Sequence, residues 1–336
     1  MTEDKMAGTP IIRIKNLKKD YKIRSSKLGQ PPRVLHALSG VSLDLFQGET
    51  LGVIGESGCG KSTLGKCLVQ LTRATAGEIL YNGQNLCTLS NSALKPVRKE
   101  LQMVFQDPYS SLDPRFTTKA AIEEPLIIHG LERDSKKRRE TVLAMLREVG
   151  LDVQHMDRYP HEFSGGQRQR INVARALVLQ PKVIVCDEPV SALDVSVQAQ
   201  VLNLFSSLQK RHNLTYIFIS HDLSVIKHIS DRVAIMYLGT VVELCDADEI
   251  YQNPRHPYTK ALLSAIPPDS PFEKAQKLTL SGEIPSPIGD LVGCPLAGRC
   301  PERMPVCSQK RPALKEISPG HRAACFLYHQ EEYAEE

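Results

Sequence analysis

The sequence predicts an α/β fold in which a mostly parallel sheet carries a nucleotide-binding loop. Short apolar runs alternate along the chain with segments of helical periodicity, which is typical of strands joined by crossover helices. Four residues stand where such runs end: Gly55, Gln106, Asp187 and His221. Because such sheets bind ligands outside the carboxyl ends of their strands, these four residues are expected to share one site.

The predicted strands are short, and their patterns differ with their expected burial. Residues 11–15 and 41–45 alternate apolar and polar side chains, as half-buried strands do. Residues 50–54 and 183–186 are apolar runs, which indicates strands buried on both faces. The remaining predicted strands span residues 79–81, 101–105, 215–219, 233–237 and 240–244.

The predicted helices follow from apolar residues at helical spacing. They span residues 64–71, 120–128, 138–149, 168–179, 191–211 and 258–265. Residues 107–165 are rich in helix between two strands, so we expect a helical subdomain inserted into the core. Residues 1–265 are predicted to form the nucleotide-binding domain. Residues 266–336 are predicted to form a C-terminal extension with little regular structure.

A phosphate-binding loop joins the strand at 50–54 to the helix that follows it. The loop consists of Gly55, Glu56, Ser57, Gly58, Cys59, Gly60, Lys61, Ser62 and Thr63. Its glycines allow successive N–H groups to point at phosphate oxygens, and the helix dipole adds to the attraction. Lys61 is expected to reach the β- and γ-phosphates, and Ser62 to hold Mg²⁺. The alternative is a Gly-rich turn with an incidental Lys-Ser, and the strand and helix around the loop argue against it.

Acids and a histidine at other strand ends supply the catalytic candidates. Asp187 is predicted to organise Mg²⁺ through a water, and Glu188 to orient or deprotonate the attacking water. Gln106 is predicted to donate to that water or to ligate Mg²⁺, the alternative being a solvated strand end. His221 is predicted to contact the γ-phosphate, the alternative being a structural histidine.

A second anion-binding cradle is predicted at Ser164, Gly165, Gly166 and Gln167, where a hydroxyl and two glycines open a helix. One nucleotide triphosphate does not need two cradles from one chain. We therefore expect two chains to meet face to face, each completing the other's nucleotide site.

Composition narrows the possible functions. The 336-residue chain has a net charge of +4, and its one dense basic run, at 136–139, is typical of a solvated helix face, so nucleic-acid binding is not expected. No apolar run approaches the roughly 18 residues of a membrane-spanning helix. The N-terminus lacks the apolar stretch of an export signal, which favours a cytoplasmic location.

Together these motifs resemble the nucleotide-binding subunit of an ABC transporter over about residues 11–265. The resemblance implies a P-loop core with an antiparallel β subdomain and a helical subdomain, followed here by the Cys-rich C-terminal extension. The resemblance identifies the phosphate loop as Walker A, Gln106 as the Q-loop and residues 164–167 as the signature. It further identifies residues 183–188 as Walker B, 191–194 as the D-loop and His221 as the switch histidine. It also implies that Tyr21 stacks on adenine. The signature begins with Phe163 where the family usually has Leu.

A narrower resemblance, to the ATPase subunits of dipeptide and oligopeptide permeases, rests on residues 106–112, 253–259 and 282–287. Nickel and glutathione importers form a close group with these. The resemblance implies a peripheral subunit on the cytoplasmic face of the cell membrane. Its implied partners are a second ATPase subunit, usually a different chain, two membrane permease subunits and, indirectly, a substrate-binding protein. A soluble ABC ATPase acting on DNA or ribosomes is the less favoured alternative.

Four of the nine cysteines, Cys294, Cys300, Cys307 and Cys325, lie in the C-terminal extension. Their gaps are longer than those of common structural zinc sites, and four cysteines can equally hold an iron–sulfur cluster. Some peptide-permease ATPases carry a four-iron–four-sulfur cluster here, which the resemblance extends to this chain. Zinc, unligated thiols and a redox-sensing role are the alternatives.

Overall fold

The computed structural model describes residues 8–23, 33–265, 278, 280–289 and 292–329. The strands are β1 (Ile12–Ile23), β2 (Arg33–Leu45), β3 (Thr50–Ile54), β4 (Ala76–Tyr81), β5 (Gln84–Asn85), β6 (Leu101–Val104), β7 (Val183–Asp187), β8 (Thr215–Ser220), β9 (Arg232–Tyr237), β10 (Thr240–Asp246), β11 (Lys315–Ser318) and β12 (His321–Ala323). The helices are α1 (Lys61–Leu68), α2 (Asn91–Glu100), α3 (Thr118–Ile128), α4 (Ser135–Glu148), α5 (Gly165–Leu177), α6 (Val195–His212), α7 (Leu223–Ile229), α8 (Ala247–Gln252) and α9 (Pro257–Ser264).

The larger sheet carries the predicted parallel core. Its strand order is β11-β12-β10-β9-β3-β8-β7-β6, and its five strands from β9 to β6 pair in parallel. Every residue of β3, β7, β8 and β9 is buried, which explains their near-continuous apolar runs. The central strand β3 leads into the phosphate loop, so that loop lies between the ends of its neighbours β8 and β9.

The smaller sheet is antiparallel, with strand order β2-β1-β4-β5. Asn82 and Gly83 make the turn between β4 and β5 with positive φ angles of 47° and 81°. The buried side chains of this sheet pack in one cluster with those of β3 and α1. This packing places β2 directly against the phosphate loop.

Two loop glycines are required by this close packing. A Cβ atom on Gly55 would lie 2.1 Å from the carbonyl oxygen of Met236. A Cβ on Gly60 would lie 2.3 Å from the carbonyl oxygen of Ala37, and Gly60 also has a φ of +104°. The motif glycines therefore let the loop fit between β2 and β9.

The helical segment predicted between β6 and β7 is present. It contains α3, α4 and the start of α5, with N-caps supplied by Thr117, Asp134 and Ser164. Its apolar faces join the second core cluster, which reaches β7 and β8. Among the described residues, no helix is both long enough and apolar enough to span a membrane.

The C-terminal extension contains more regular structure than the sequence predicts. The hairpin β11–β12 pairs through β12 with β10, so it continues the larger sheet. A buried hydrogen-bonded contact supports this junction, with His321 Nε2 2.7 Å from Glu243 Oε1. The short polar hairpin has no apolar periodicity, and its pairing depends on a strand more than 70 residues away, so the sequence pattern did not predict it.

Candidate functional site

The lysine of the phosphate loop is turned back onto the loop itself. Lys61 is 5% exposed, and its Nζ donates to the carbonyl oxygens of Gly55 at 2.6 Å and Glu56 at 3.1 Å. These contacts satisfy the buried ammonium group without a carboxylate partner. The Lys61 ammonium group is therefore already positioned within the loop when a phosphate binds there.

Ser62 and Asp187 form the predicted metal-binding pair. The Ser62 hydroxyl at the start of α1 donates to Asp187 Oδ1 at the end of β7, at 2.8 Å. Burial raises the pKa of Asp187, although the Ser62 hydrogen bond and Lys66 oppose the shift. Mg²⁺ keeps several waters and takes few protein ligands beside the substrate phosphates, so a hydroxyl with one carboxylate behind it suits this ion.

Glu188 lies at the centre of a three-residue contact. Its Oε2 accepts a hydrogen bond from Gln106 Nε2 at 2.9 Å and lies 3.1 Å from His221 Nδ1. Glu188 has a φ of 47°, and its N–H donates to the carbonyl of Ile219 on β8. This turn directs the carboxylate away from the buried side chains of β7. A general base at that position would face a water beside the γ-phosphate.

These residues surround one cavity of about 540 Å³. Its lining consists of Tyr21, Leu35, Ala37, Ser57, Gly58, Gly60, Lys61, Ser62, Thr63, Gln106, Glu188, His221 and Pro287. Tyr21 is 38% exposed, and Lys19 Nζ lies 4.8 Å from the centre of its ring. Of the residues predicted in the phosphate loop and at the strand ends, four lie outside this lining: Gly55, Glu56, Cys59 and Asp187.

Three of the lining residues were missed in the sequence: Leu35, Ala37 and Pro287. Pro287 comes from the C-terminal extension, and its carbonyl accepts a hydrogen bond from His36 N at 2.9 Å. Gly289 N donates to the carbonyl of Val34 at 3.0 Å, so this segment runs beside β2. Only the resemblance at residues 282–287 pointed to this segment, and it gave no location.

The predicted signature residues do not line the cavity. Ser164 caps α5, and its N–H and hydroxyl pair reciprocally with the side chain and N–H of Gln167. A Cβ on Gly166 would lie 2.3 Å from the Val197 side chain, so close packing against α6 also requires this glycine. The cradle therefore lies outside the cavity formed by its own chain.

The four C-terminal cysteines lie near one another in the extension. The N–H of Cys294 donates to the carbonyl of Cys307 at 2.7 Å. Burial, reinforced by the neighbouring thiols, raises the pKa of Cys294 to about 11 and that of Cys325 to about 12. Among the described residues, no group of three or more His, Cys, Asp or Glu is placed to hold a metal ion. The iron–sulfur and zinc expectations, which include Cys300, thus gain no support from the geometry.

Two family models match the chain. Residues 38–191 match the model described as ABC transporter. Residues 242–307 match the model for the C-terminal region of oligopeptide and dipeptide transporters. The first match contains the phosphate loop, Gln106, the signature segment and Glu188, and the second contains three of the four clustered cysteines.

Curated relatives are similar over nearly the whole chain. The oligopeptide transport ATP-binding protein AppF of Bacillus subtilis is 50% identical, covering 95% of this chain and 97% of that protein. The dipeptide transport ATP-binding protein DppF of Escherichia coli is 49% identical, covering 98% of each. The oligopeptide transport ATP-binding protein OppF of Salmonella typhimurium is 51% identical, covering 94% and 96%.

Solved structures support the fold. The ATP-binding cassette MJ0796, in a dimeric post-hydrolysis state bound to ADP and Pi, superposes with a TM-score of 0.62 at 27% identity. The match covers 70% of this chain and 98% of that one. A second dimeric structure of MJ0796 has the same TM-score at 28% identity.

Proposed function

Since the chain belongs to the ATP-binding subunits of ABC transporters, we propose that it powers the uptake of dipeptides or oligopeptides across the cytoplasmic membrane. Because it belongs to this family, the chain is an ATPase that couples ATP hydrolysis to transport. The single observation that supports peptides is the near-full-length identity to oligopeptide and dipeptide transport proteins.

The cavity residues have distinct roles in the proposed hydrolysis. The loop N–H groups and Lys61 hold the phosphates, and Tyr21 stacks on the adenine ring. Ser62 and Gln106 would hold Mg²⁺, and Asp187, behind Ser62, would organise the ion through a water. The ion would supply charge neutralisation at the phosphates. Glu188 takes a proton from the attacking water, and His221 and Gln106 keep its carboxylate in place.

A second ATPase subunit completes the site in this proposal. The nucleotide cavity is lined on one side by the phosphate loop, and the chain's own residues 164–167 lie outside it. A partner's signature segment would then close over the γ-phosphate of this chain. Both MJ0796 structures are dimeric, which is consistent with this arrangement.

An apolar groove is the proposed contact for a permease subunit. It has a volume of about 250 Å³ and lies between the segment after α1, the strand β6 and the helices α2, α3 and α5; its lining includes Leu71, Phe105 and Pro125. Ile127 and Ile128, at the end of α3, are 58% and 59% exposed. Exposed apolar side chains beside a groove are typical of a protein interface. Docking there would hold the chain on the cytoplasmic face of the membrane.

We also propose that the four clustered thiols hold a four-iron–four-sulfur cluster as a structural support of the extension. A cluster is bound through four separate iron atoms, so its thiolates need not converge on one ion as zinc ligands must. What supports the proposal is the set of four cysteines in the extension, three of which lie in the segment that matches the model for oligopeptide and dipeptide transporters. Iron and acid-labile sulfide in anaerobically purified chain should both approach four per chain. Zinc alone, or neither element, would contradict the proposal.

Reconstitution tests the transported substrate. The chain is purified with its co-purifying partners from detergent-solubilised membranes and placed in liposomes with the substrate-binding protein. We expect dipeptides or short peptides on that protein to stimulate ATP hydrolysis and to enter the vesicles. Stimulation by nickel or glutathione instead would assign the chain to a related importer. Co-purification of ribosomes or DNA without membrane subunits would contradict the proposal.

A further inference from the structure

An arginine of the C-terminal extension reaches the phosphate loop. Arg299 Nη1 lies 3.1 Å from Glu56 Oε2, and the guanidinium also contacts Glu56 Oε1 at 3.4 Å. The two side chains are only 10% and 25% exposed, so solvent screens this pair less than a surface pair. The contact joins residues 243 positions apart in the sequence.

The same loop residue is held at its backbone. Glu56 N donates to the Tyr258 hydroxyl of α9 at 2.9 Å, while its carbonyl accepts from Lys61 Nζ. Arg299 Nη1 in turn donates to the Tyr237 hydroxyl at 3.3 Å. The side chain of Glu56 faces a second cavity, which Arg299 also lines, and not the nucleotide cavity. Glu56 is therefore held on the side of the loop that faces away from the nucleotide cavity.

From this geometry we propose that Arg299 is a positioning residue for ATP binding. By pairing with Glu56 it fixes the back of the phosphate loop, so that the N–H groups and Lys61 are aligned before the nucleotide arrives. Preorganised groups bind a ligand more tightly because less ordering has to occur on binding. The inference rests on ATP binding, and it does not depend on which substrate the transporter carries.

The position of Arg299 also couples the loop to the cysteines. Arg299 lies in a turn between Cys294 and Cys300, and its N–H donates to the carbonyl of Leu296 at 2.8 Å. In the same turn Ala297 N donates to the carbonyl of Cys294 at 3.0 Å. A change at either thiol that reshapes this turn would displace the guanidinium from Glu56.

A double-mutant cycle on the full-length chain tests the proposal. The dissociation constant for Mg²⁺–ATP is measured for R299A, E56Q and the double variant by nucleotide titration. We expect each single variant to weaken binding about fivefold. Because both changes remove the same contact, we expect the double variant to bind no more weakly than either single one.

A matched control and a rescue make the result specific. Arg303 lies four residues further along, and among the described residues its side chain donates to the Ser308 hydroxyl at 2.7 Å and not to the phosphate loop. R303A should therefore bind ATP like the wild type. The swap R299E with E56R should recover part of the affinity lost in R299E. In the assembled transporter, R299A should raise KM for ATP more than it lowers kcat.

Several outcomes would overturn the proposal. These are an unchanged dissociation constant in R299A, losses that multiply in the double variant, or an equal loss in R303A. If R299A does not fold, as judged by its melting curve, R299K and E56Q provide the same comparison. A transporter that carries no peptides but shows the coupled loss would contradict the proposed substrate and leave the role of Arg299 intact.

Discussion

At the scale of single residues, Asp187 and Glu188 have different surroundings, as the different roles proposed for them require. Asp187 is buried at the strand end and bonded to Ser62, whereas the following residue turns out toward His221 and Gln106. Adjacent carboxylates thus have different environments, which is how neighbouring acids acquire different roles. The left-handed backbone at Glu188 produces this divergence.

Replacing Glu188 with Gln should remove the base and keep the binding site. In the assembled transporter we expect ATP hydrolysis to fall at least about a hundredfold, which is the lower end of the usual contribution of general-base catalysis. ATP affinity should stay within about twofold, because the loop and Lys61 are untouched. The control is E140Q on the exposed face of α4, which should hydrolyse ATP normally. Turnover above a tenth of the wild-type rate in E188Q would refute the assigned role.

At the scale of elements, a buried polar cluster joins β10, α9 and β12. Glu243 on β10 accepts hydrogen bonds from the backbone N–H groups of Arg255 and His256 and pairs with His321 on β12. Although burial opposes it, this bonding lowers the pKa of the Glu243 carboxyl. The ionised Glu243 carboxylate therefore stabilises the folded chain above pH 4.5, the pKa of Glu in the unfolded chain. This contribution is lost as the pH falls below that value.

His256 in this cluster should make stability depend on pH in a higher range. Burial lowers its pKa to about 4, so the unfolded chain binds more protons than the folded chain as pH falls below 6.5. Stability is therefore lost on acidification through this range. At about pH 5.5 the loss attributable to His256 should be about 1.4 kcal/mol.

Urea unfolding near neutral pH and near pH 5.5 measures this loss. Because His256 Nδ1 accepts the N-cap hydrogen bond from Tyr258 N, H256N preserves that acceptor while removing the titrating ring. Between the two pH values, the free energy of unfolding of H256N should fall by about 1.4 kcal/mol less than that of the wild type, whatever the overall stability of the variant. H228N, at an exposed histidine of α7, should keep the wild-type dependence. An unaltered dependence in H256N would show that other groups control it.

The elements that the sequence predicted well are those specified locally. The strand, glycines and helix around Lys61 are contiguous, so pattern and turn chemistry identify them together. The hairpin β11–β12 and the Pro287 segment depend instead on partners far along the chain, in β10 and β2. A short polar stretch leaves no local trace of such pairing. The contact between Arg299 and Glu56 could not be predicted for the same reason, because the two residues are far apart in the sequence.

At the scale of the whole molecule, the C-terminal extension and the nucleotide-binding domain are joined by direct contacts. The extension adds β12 to the larger sheet, lines the nucleotide cavity through Pro287 and contacts the phosphate loop through Arg299. A predicted boundary at residue 265 therefore separates segments of sequence that contact each other at the cavity and at the phosphate loop. It stays a prediction about folding units, which removal of the extension would address.

The placement of Ser164 outside its own chain's cavity leads to a prediction about the assembly. If the signature segment serves the nucleotide of a partner, S164R should leave the ATP affinity of the isolated chain unchanged. In the assembled transporter it should lower ATP hydrolysis at least about tenfold, since a bulky cation replaces the capping hydroxyl where the γ-phosphate docks. K61A is the contrasting variant, because Lys61 lies within the chain's own cavity. It should weaken ATP binding by the isolated chain.

Nucleotide titration of the two isolated variants, followed by ATPase assays of the assembled transporter, separates the two sites. The chain alone should bind ATP and hydrolyse it slowly, with a rate per chain that rises on addition of the partner subunit. If S164R weakened ATP binding in the isolated chain as much as K61A does, the cradle would belong to the same site as the loop. The face-to-face arrangement would then lose its structural basis, because each chain would hold a complete site of its own.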